Sequence, residues 1–403
     1  MSSLSNVDRR AWRALFAAQL GWMLDAMDFL LFTYAVVQIQ QEFGLTKATM
    51  GVLSSVALIA SAAGGIAFGR LADRIGRVRG MTLSILIYSF ATAGLATATT
   101  LWHLVAWRVL VGVGMGGEWS SGSVLVAETW PKEHRAKALG IMQSGWAIGA
   151  LFAAALAALM LERLGWRALF LVGALPAVAT FFIRRNVEEP PLWTERNRAE
   201  VTRWSEMFSP QYVKRTVIAT LLASSVLIAF WGVITWLPSF LATPVAQGGA
   251  GLTMTKSAKW LIVLQLGAFL GYVSFGWIAD RFGRRPAFTF FMLAATAVVP
   301  LFAFGARSTL SLLILGPLVG YFAHGYFSVF GAMLAELFPT RMRASAQGFC
   351  YNAGRLASAA APFAIGAAAD RHGLGSAIAV DSLFFAVGAV LIWLLPETKG
   401  AEL

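Results

Sequence analysis

The apolar residues of this chain fall in blocks of about 20, separated by short polar breaks, and about 20 residues is the length at which one helix crosses the hydrocarbon core of a bilayer. That feature leaves few folds open. In lipid every backbone N–H and C=O must be bonded internally, so only helices and closed barrels can span. Runs such as 84–98 and 151–161 lack the strict apolar–polar alternation of barrel strands, so the prediction is helical. Charge agrees. Only 13% of the 403 residues are charged, against about 25% in an ordinary soluble domain. A water-soluble globule of this size could not cover itself so sparsely. Hydropathy places twelve spans near 12–37, 49–69, 81–99, 102–126, 138–160, 166–183, 216–241, 257–279, 287–304, 309–335, 345–368 and 375–395.

The net charge is +12, and its placement says why. Lys and Arg gather at Arg9, Arg10 and Arg13, in the loops after spans 2, 4, 6, 8 and 10, and at Lys399; the opposite side carries far fewer. By the positive-inside rule the rich side faces the cytoplasm. An even number of spans then puts both termini there, in a multi-pass cytoplasmic (inner) membrane protein. The partner implied by the charge is the bilayer, and no nucleic acid is expected. The first apolar run is longer than a signal-peptide core and lacks a small-residue cleavage site, so it reads as a retained helix. Cys350 is the only cysteine, which allows no internal disulfide and no cysteine metal site. No group of residues has metal spacing or a hydrolytic arrangement. The expectation is therefore a monomer that is not an enzyme and needs no metal or cofactor.

The chain repeats itself. Gly69-Arg-Leu-Ala-Asp73-Arg-Ile-Gly76-Arg77 follows span 2, and Gly276-Trp-Ile-Ala-Asp280-Arg-Phe-Gly283-Arg284 follows span 8, with Asp280 207 residues after Asp73. Glu128-Thr-Trp-Pro131 with Arg135 and Gly140 follows span 4; Glu336-Leu-Phe-Pro339 with Arg343 and Gly348 follows span 10, 208 residues on. Two motifs in one order at nearly one offset imply a duplication: a first half over 1–183, a linker over 184–215 with room for short helices, and a second half over 216–403. The paired Gly-x-x-Ala-Asp-Arg-x-Gly-Arg loops resemble the signature of the major facilitator superfamily, along the whole chain. That resemblance implies an all-α membrane fold of two pseudo-symmetric six-helix bundles and transport by alternating access. In the loops, an Asp at a helix end facing several Arg can hold neighbouring helices in one state and release them in another. Gly69, Asp73, Arg77, Gly276, Asp280 and Arg284 are the gating candidates; the alternative is a charged topology anchor.

Ionisable residues inside spans are costly and are functional candidates by default. Asp25 and Asp28 in span 1 are three apart, on one helix face. Arg108 in span 4 falls at a similar estimated depth, so an Asp–Arg pair is expected, as in the proton-coupled sugar symporters that this half resembles. Such an Asp can couple to protons; the alternative is a static ion pair. Glu118, in Gly116-Gly117-Glu118-Trp119, could bind substrate or proton or join a packing network. The formal Gly-x-Gly-x-x-Gly there follows no strand and lies in a span, so it is not a nucleotide site. Arg355 sits about ten residues into span 11, near the midplane where transporter sites lie, with Asn352 one turn before it. Its counterpart in the first half is Ala147, so the charge is a one-sided addition. An Arg fork fits a carboxylate; a structural partner for Glu118 or an Asp is the other possibility. His324, Tyr321 and Trp146 complete the substrate candidates, with Tyr326, Trp119 and Trp231 as further aromatics and Asp381 as a weaker acid in span 12. Asp25-Ala-Met-Asp28 and the stretch from Phe338 to Arg355 are similar to the sialate and metabolite:proton symporter group. The resulting expectation is proton-coupled uptake of a small organic anion, a carboxylate, with the proton as coupling ion. The alternatives are proton-driven export of a drug-like or other small metabolite, and a membrane sensor or enzyme.

Overall fold

The computed structural model describes residues 7–45, 47–195, 204–245, 248–252 and 254–402. The chain runs through α1 (Arg9–Phe43), α2 (Lys47–Ile75), α3 (Arg77–Leu95), α4 (Leu101–Thr129), α5 (Arg135–Val172), α6 (Leu175–Asn186), α7 (Pro191–Thr194), a 3-10 turn (Trp204–Phe208), α8 (Val213–Ala242), α9 (Met254–Phe282), α10 (Arg284–Gly305), α11 (Thr309–Gly325), α12 (Phe327–Leu337), α13 (Arg343–Ser358), α14 (Ala361–His372), α15 (Leu374–Asp381) and α16 (Leu383–Leu391). The described residues contain no strand.

These helices make twelve crossings. Ten stretches are long and apolar enough on their own, and one of them, Arg135–Ile183, holds two crossings. Gly165, with φ 76° and ψ 172°, breaks it, and the residues beyond join α6. The twelfth crossing is α13 with α14. It is not a plain apolar helix because α13 carries Arg343, Gln347, Asn352 and Arg355 and ends at Ser358. Between α6 and α8 lie α7 and the 3-10 turn; residues 196–203 of the expected linker lie outside the described residues.

Local chemistry sets the ends. Thr100 caps α4 by accepting from the His103 N–H at 3.2 Å, and Ser308 and Ser311 form a capping box on α11. Gly76 and Gly283 join α2 to α3 and α9 to α10 with φ of 112° and 107°, values that side-chain-bearing residues avoid. Here the duplication shows in the backbone itself.

In the first half α1 packs on α5 and α4, and α4 also meets α2 and α3; in the second, α8 packs on α13, α9 on α11, and α10 on α11 and α16. The halves meet where α2 lies on α13 and α5 on α9, a mirrored pair of seams. Spans 3, 6, 9 and 12 turn large apolar side chains outward, among them Phe90, Phe181, Phe290 and Val390. Apolar surface on this scale marks a face turned to lipid rather than water.

Candidate functional site

Two mirrored clusters close the face where the arginines gather. Asp73 at the end of α2 accepts from Arg77 Nη1 at 3.0 Å. It also crosses to the other half, accepting from the Ala344 and Ser345 N–H groups at 3.3 and 2.8 Å and from Ser345 Oγ at 2.6 Å. Those amides belong to the first turn of α13, which has no partners within its helix and favours a nearby anion. Asp280 does the same to α5, accepting from the Lys137 N–H at 3.0 Å and Ala136 N–H at 3.4 Å, with Arg284 Nη1 at 2.6 Å. Glu128 holds Arg77 at 2.9 Å and Arg343 of the other half at 2.6 Å; Glu336 holds Arg284 at 3.0 Å and Arg135 at 2.9 Å. Each half thus caps a helix of the other. The motif glycines allow the contact: a methyl at Gly69 would stand 2.5 Å from Ala344 O, and one at Gly276 2.5 Å from Ala136 O.

Two more caps brace these loops. Glu189 accepts from the Arg77, Val78 and Arg79 N–H groups at 2.6, 3.1 and 3.1 Å. Glu397 accepts from the Arg284 and Arg285 N–H groups at 2.8 and 3.0 Å. Burial pushes the Glu189 carboxyl above the usual carboxylate range in spite of its donors. At Glu397 burial acts the same way, but the amides of Arg285, Arg284 and Lys399 outweigh it and hold the group below that range.

Every hydrogen bond between the halves among the described residues lies at this basic face, except one between Arg355 and Ser61 deeper in. The halves are therefore bonded together at the face where the arginines gather.

Arg355 ends the seam. Its Nη1 donates to Ser61 Oγ of α2 at 3.2 Å, and its guanidinium carbon lies 5.1 Å from the centre of the Tyr351 ring. Tyr351 in turn stacks on Trp119 at 3.9 Å, which donates to Gln143 Oε1 at 3.0 Å. Across from Arg355, Asp25 lies within electrostatic reach without closing to an ion pair. Asp25, Asp28 and Glu118 form one buried group with the Tyr88 ring, each within reach of the next. Asp25 Oδ1 and both carboxylate oxygens of Asp28 and Glu118 have no hydrogen-bond partner, nor does Arg355 Nε. Of the three acids Asp25 is the one within reach of Arg355; Asp28 and Glu118 lie behind it, within the first half.

Arg108 is not in this group. Its guanidinium lies over the Phe32 ring at 3.9 Å, its Nε reaches Leu53 O at 3.5 Å, and none of the ion pairs among the described residues joins it to an acid. The expected pairing with Asp25 or Asp28 is corrected: Phe32 is one turn past Asp28, because α1 runs on to Phe43 and its acids lie deeper than a shorter helix would hold them. Tyr321 also leaves the site. It stacks on Phe291 at 5.2 Å and accepts from Ser274 Oγ at 2.7 Å, within the second half's own packing. His324 sits against Phe230 and Tyr272, with ring centres 5.0 and 6.0 Å away, and not beside Arg355. Asn352 presses on Gly65 of α2 and donates to Gly348 O at 2.9 Å, its own oxygen unpartnered. Trp146 is half-buried against Trp22 and Phe29, and Phe29 meets Trp231 of α8 at 6.2 Å.

Mirrored halves bonded together at one face, with unpaired ionisable groups buried within, define a membrane transporter. The chain belongs to the Major Facilitator Superfamily, whose family model matches residues 14–255 and 251–402. It is 34% identical to the probable 4-methylmuconolactone transporter of Cupriavidus pinatubonensis, over 96% of this chain and 91% of that one. It is 29% identical to the sialic acid transporter NanX of Escherichia coli, over 94% and 93%. Among solved structures it resembles the proton:xylose symporter XylE, with a TM-score of 0.81 at 18% identity over 98% of each chain; that likeness is one of fold.

The sequence did not single out Ser61 or Tyr88, which bear ordinary marks of helix packing; Ser61 reaches Arg355 only where the halves meet, and Tyr88 lies beside the acids within the first half. The ion-pair residues Glu128, Arg135, Glu336 and Arg343 did carry a signal, since they recur 208 residues apart.

Proposed function

We propose that this protein takes up a small organic anion, a carboxylate, by proton-coupled symport. The observation that carries this is the open pair of Arg355 and Asp25, one from each half, facing without contact. A substrate carboxylate and ionised Asp25 compete for one guanidinium. When Asp25 takes a proton, its claim on Arg355 ends and the flat fork is free for the substrate. When the substrate leaves, Arg355 favours the ionised acid and the proton goes with the cargo. Proton and anion are then bound in linkage without touching. Asp28 and Glu118 stand close enough to share or relay the proton. The transporters of acids among the relatives support the substrate class. The basic face is the cytoplasmic one, so both termini are inside the inner membrane, and the working unit is the monomer with no cofactor beyond the coupling proton. Asp73 and Asp280 hold the inner gate shut until the cargo is bound.

The test is a panel of radiolabelled mono- and dicarboxylates, with neutral sugars and amines as controls, in proteoliposomes with and without an inwardly directed pH gradient. Gradient-driven accumulation of a carboxylate supports the reading. Accumulation of a cation or neutral solute alone overturns it.

A further inference from the structure

One buried acid lies outside both the central group and the clusters at the basic face. Asp381 ends α15 in span 12 and is 5% exposed. Its Oδ2 has no hydrogen-bond partner. It faces α8 at Gly232, where an added methyl would overlap the carboxylate oxygen and meet Ile365 of α14. The missing side chain at Gly232 makes the space for this carboxyl.

We propose that Asp381 is a second proton-binding site, in the second half, whose occupancy sets how closely α8 packs at the far face. An unpaired carboxylate in an apolar setting must find water or a cation or take a proton, and none of the ion pairs among the described residues brings a cation to Asp381. Of the elements packed on α15, α8 presents Gly232 and α14 presents Ile365. From α10 the contact is Thr296 O, which accepts from Ser382 Oγ at 3.4 Å, and from α16 it is the apolar start of that helix. Among the described side chains Tyr326 is the titratable group within reach, and its hydroxyl donates to Val226 O at 3.3 Å. Arg371 and His372 end α14 on the far side of Leu374, about 10 Å along α15 from Asp381. The neutral carboxyl fits the cradle as it stands. The ionised form needs water, and water enters only if α8 moves off α15.

That movement has a readout. Trp231, beside Gly232, meets Phe29 of α1 at 6.2 Å. This is one of two ring contacts between the halves among the described residues; the other, Trp119 with Tyr351, lies on the basic side. Asp381 thus sits behind the aromatic contact nearer the far face. A proton taken from far-side water forms one O–H bond and favours the packed α8; its return to water favours the displaced one. The inference does not depend on the substrate and survives if the carboxylate reading fails.

The experiment uses the substrate-free, full-length protein. Cys350 is buried, so spin labels are directed to cysteines introduced at Gln41 and Ser308, on the far ends of the two halves. Their separation is measured from pH 5 to 8 alongside the infrared band of protonated carboxyls. Wild type should widen as the pH rises. Asp381→Asn should stay at the packed separation and lose one titrating carboxyl. Gly232→Ala keeps the acid but crowds its cradle, so the midpoint should move to more acidic pH, by about tenfold in proton concentration. A wild-type distance titration in Asp381→Asn overturns the proposal; if that variant does not fold, a wild-type midpoint in Gly232→Ala does so.

Discussion

Arg355 donates to Ser61 and leaves the Nε edge of its guanidinium without a hydrogen-bond partner. If that edge is where the cargo binds, Arg355→Ala should cost about 2–5 kcal/mol, the loss of one partner of a buried charge pair, or roughly 30- to 4,000-fold in affinity. Arg355→Lys keeps the charge without the flat fork and should rescue only weakly. Affinity measured on purified variants with normal melting curves checks both. Asp25→Asn should bind substrate without taking up a proton, exchanging preloaded cargo but failing to accumulate it. At this scale the sequence was readable where an ionisable residue is costly: Asp25, Asp28 and Glu118 are buried together in the first half, and Asp25 lies within reach of Arg355 of the second. It was not readable where depth along a helix decided the partner. Arg108 was matched to the acids by counting residues, and the extra length of α1 put it over Phe32 instead. His324 and Tyr321 look polar in a string but are enclosed by aromatic neighbours of their own half.

At the scale of elements, the seam is made of helix starts capped from the opposite half. Asp73→Ala removes the cap on α13. Charge-assisted hydrogen bonds are worth about 1.5–3 kcal/mol each, and three cross the seam to Asp73, so the inward–outward balance should shift by at least the roughly 10-fold that the loss of one would give. Cysteine accessibility at the basic face should rise accordingly, and an unchanged profile would remove the gating role. The outer caps differ in sign. Glu397 is held below the ordinary carboxylate value of 4.5, so its contribution to stability is present above that pH and lost as the pH falls through the lower folded value. Glu189 is shifted the other way, so its ionisation weakens rather than strengthens the fold as the pH rises. At neutral pH, Glu397→Gln should therefore lower the melting temperature more than Glu189→Gln, and the difference should shrink below about pH 4. Equal losses at both pH values would contradict this. The motif loops were legible because they repeat at one offset. These two caps were not: Glu189 is followed by Pro190 and Pro191, Glu397 by Thr398 and Lys399, and only the fold shows that both reach the helix start after a motif glycine.

For the whole molecule, the twelve crossings and their duplication were legible because bilayer thickness fixes span length, and the halves came from one pattern. The breaks in spans 10, 11 and 12 were not, since Pro362 beside the Ala359 junction and Asp381 beside Ser382 are residues that an unbroken span also tolerates. One proton moved with one monoanion carries no net charge, so the membrane potential, worth about 2.3 kcal/mol per charge at 100 mV, should leave uptake unchanged. Potassium-diffusion potentials imposed on proteoliposomes check this. The central claim is that the anion and the ionised Asp25 compete for Arg355, so that proton and anion are bound together, and the most direct measurement is the proton count on substrate binding. Purified protein in weak buffer with a pH indicator is titrated with the carboxylate that the uptake panel identifies. Wild type should take up one proton per anion bound and Asp25→Asn none, with anion affinity kept. Proton uptake that persists unchanged in Asp25→Asn, or anion binding by wild type with no proton taken up, would contradict the account.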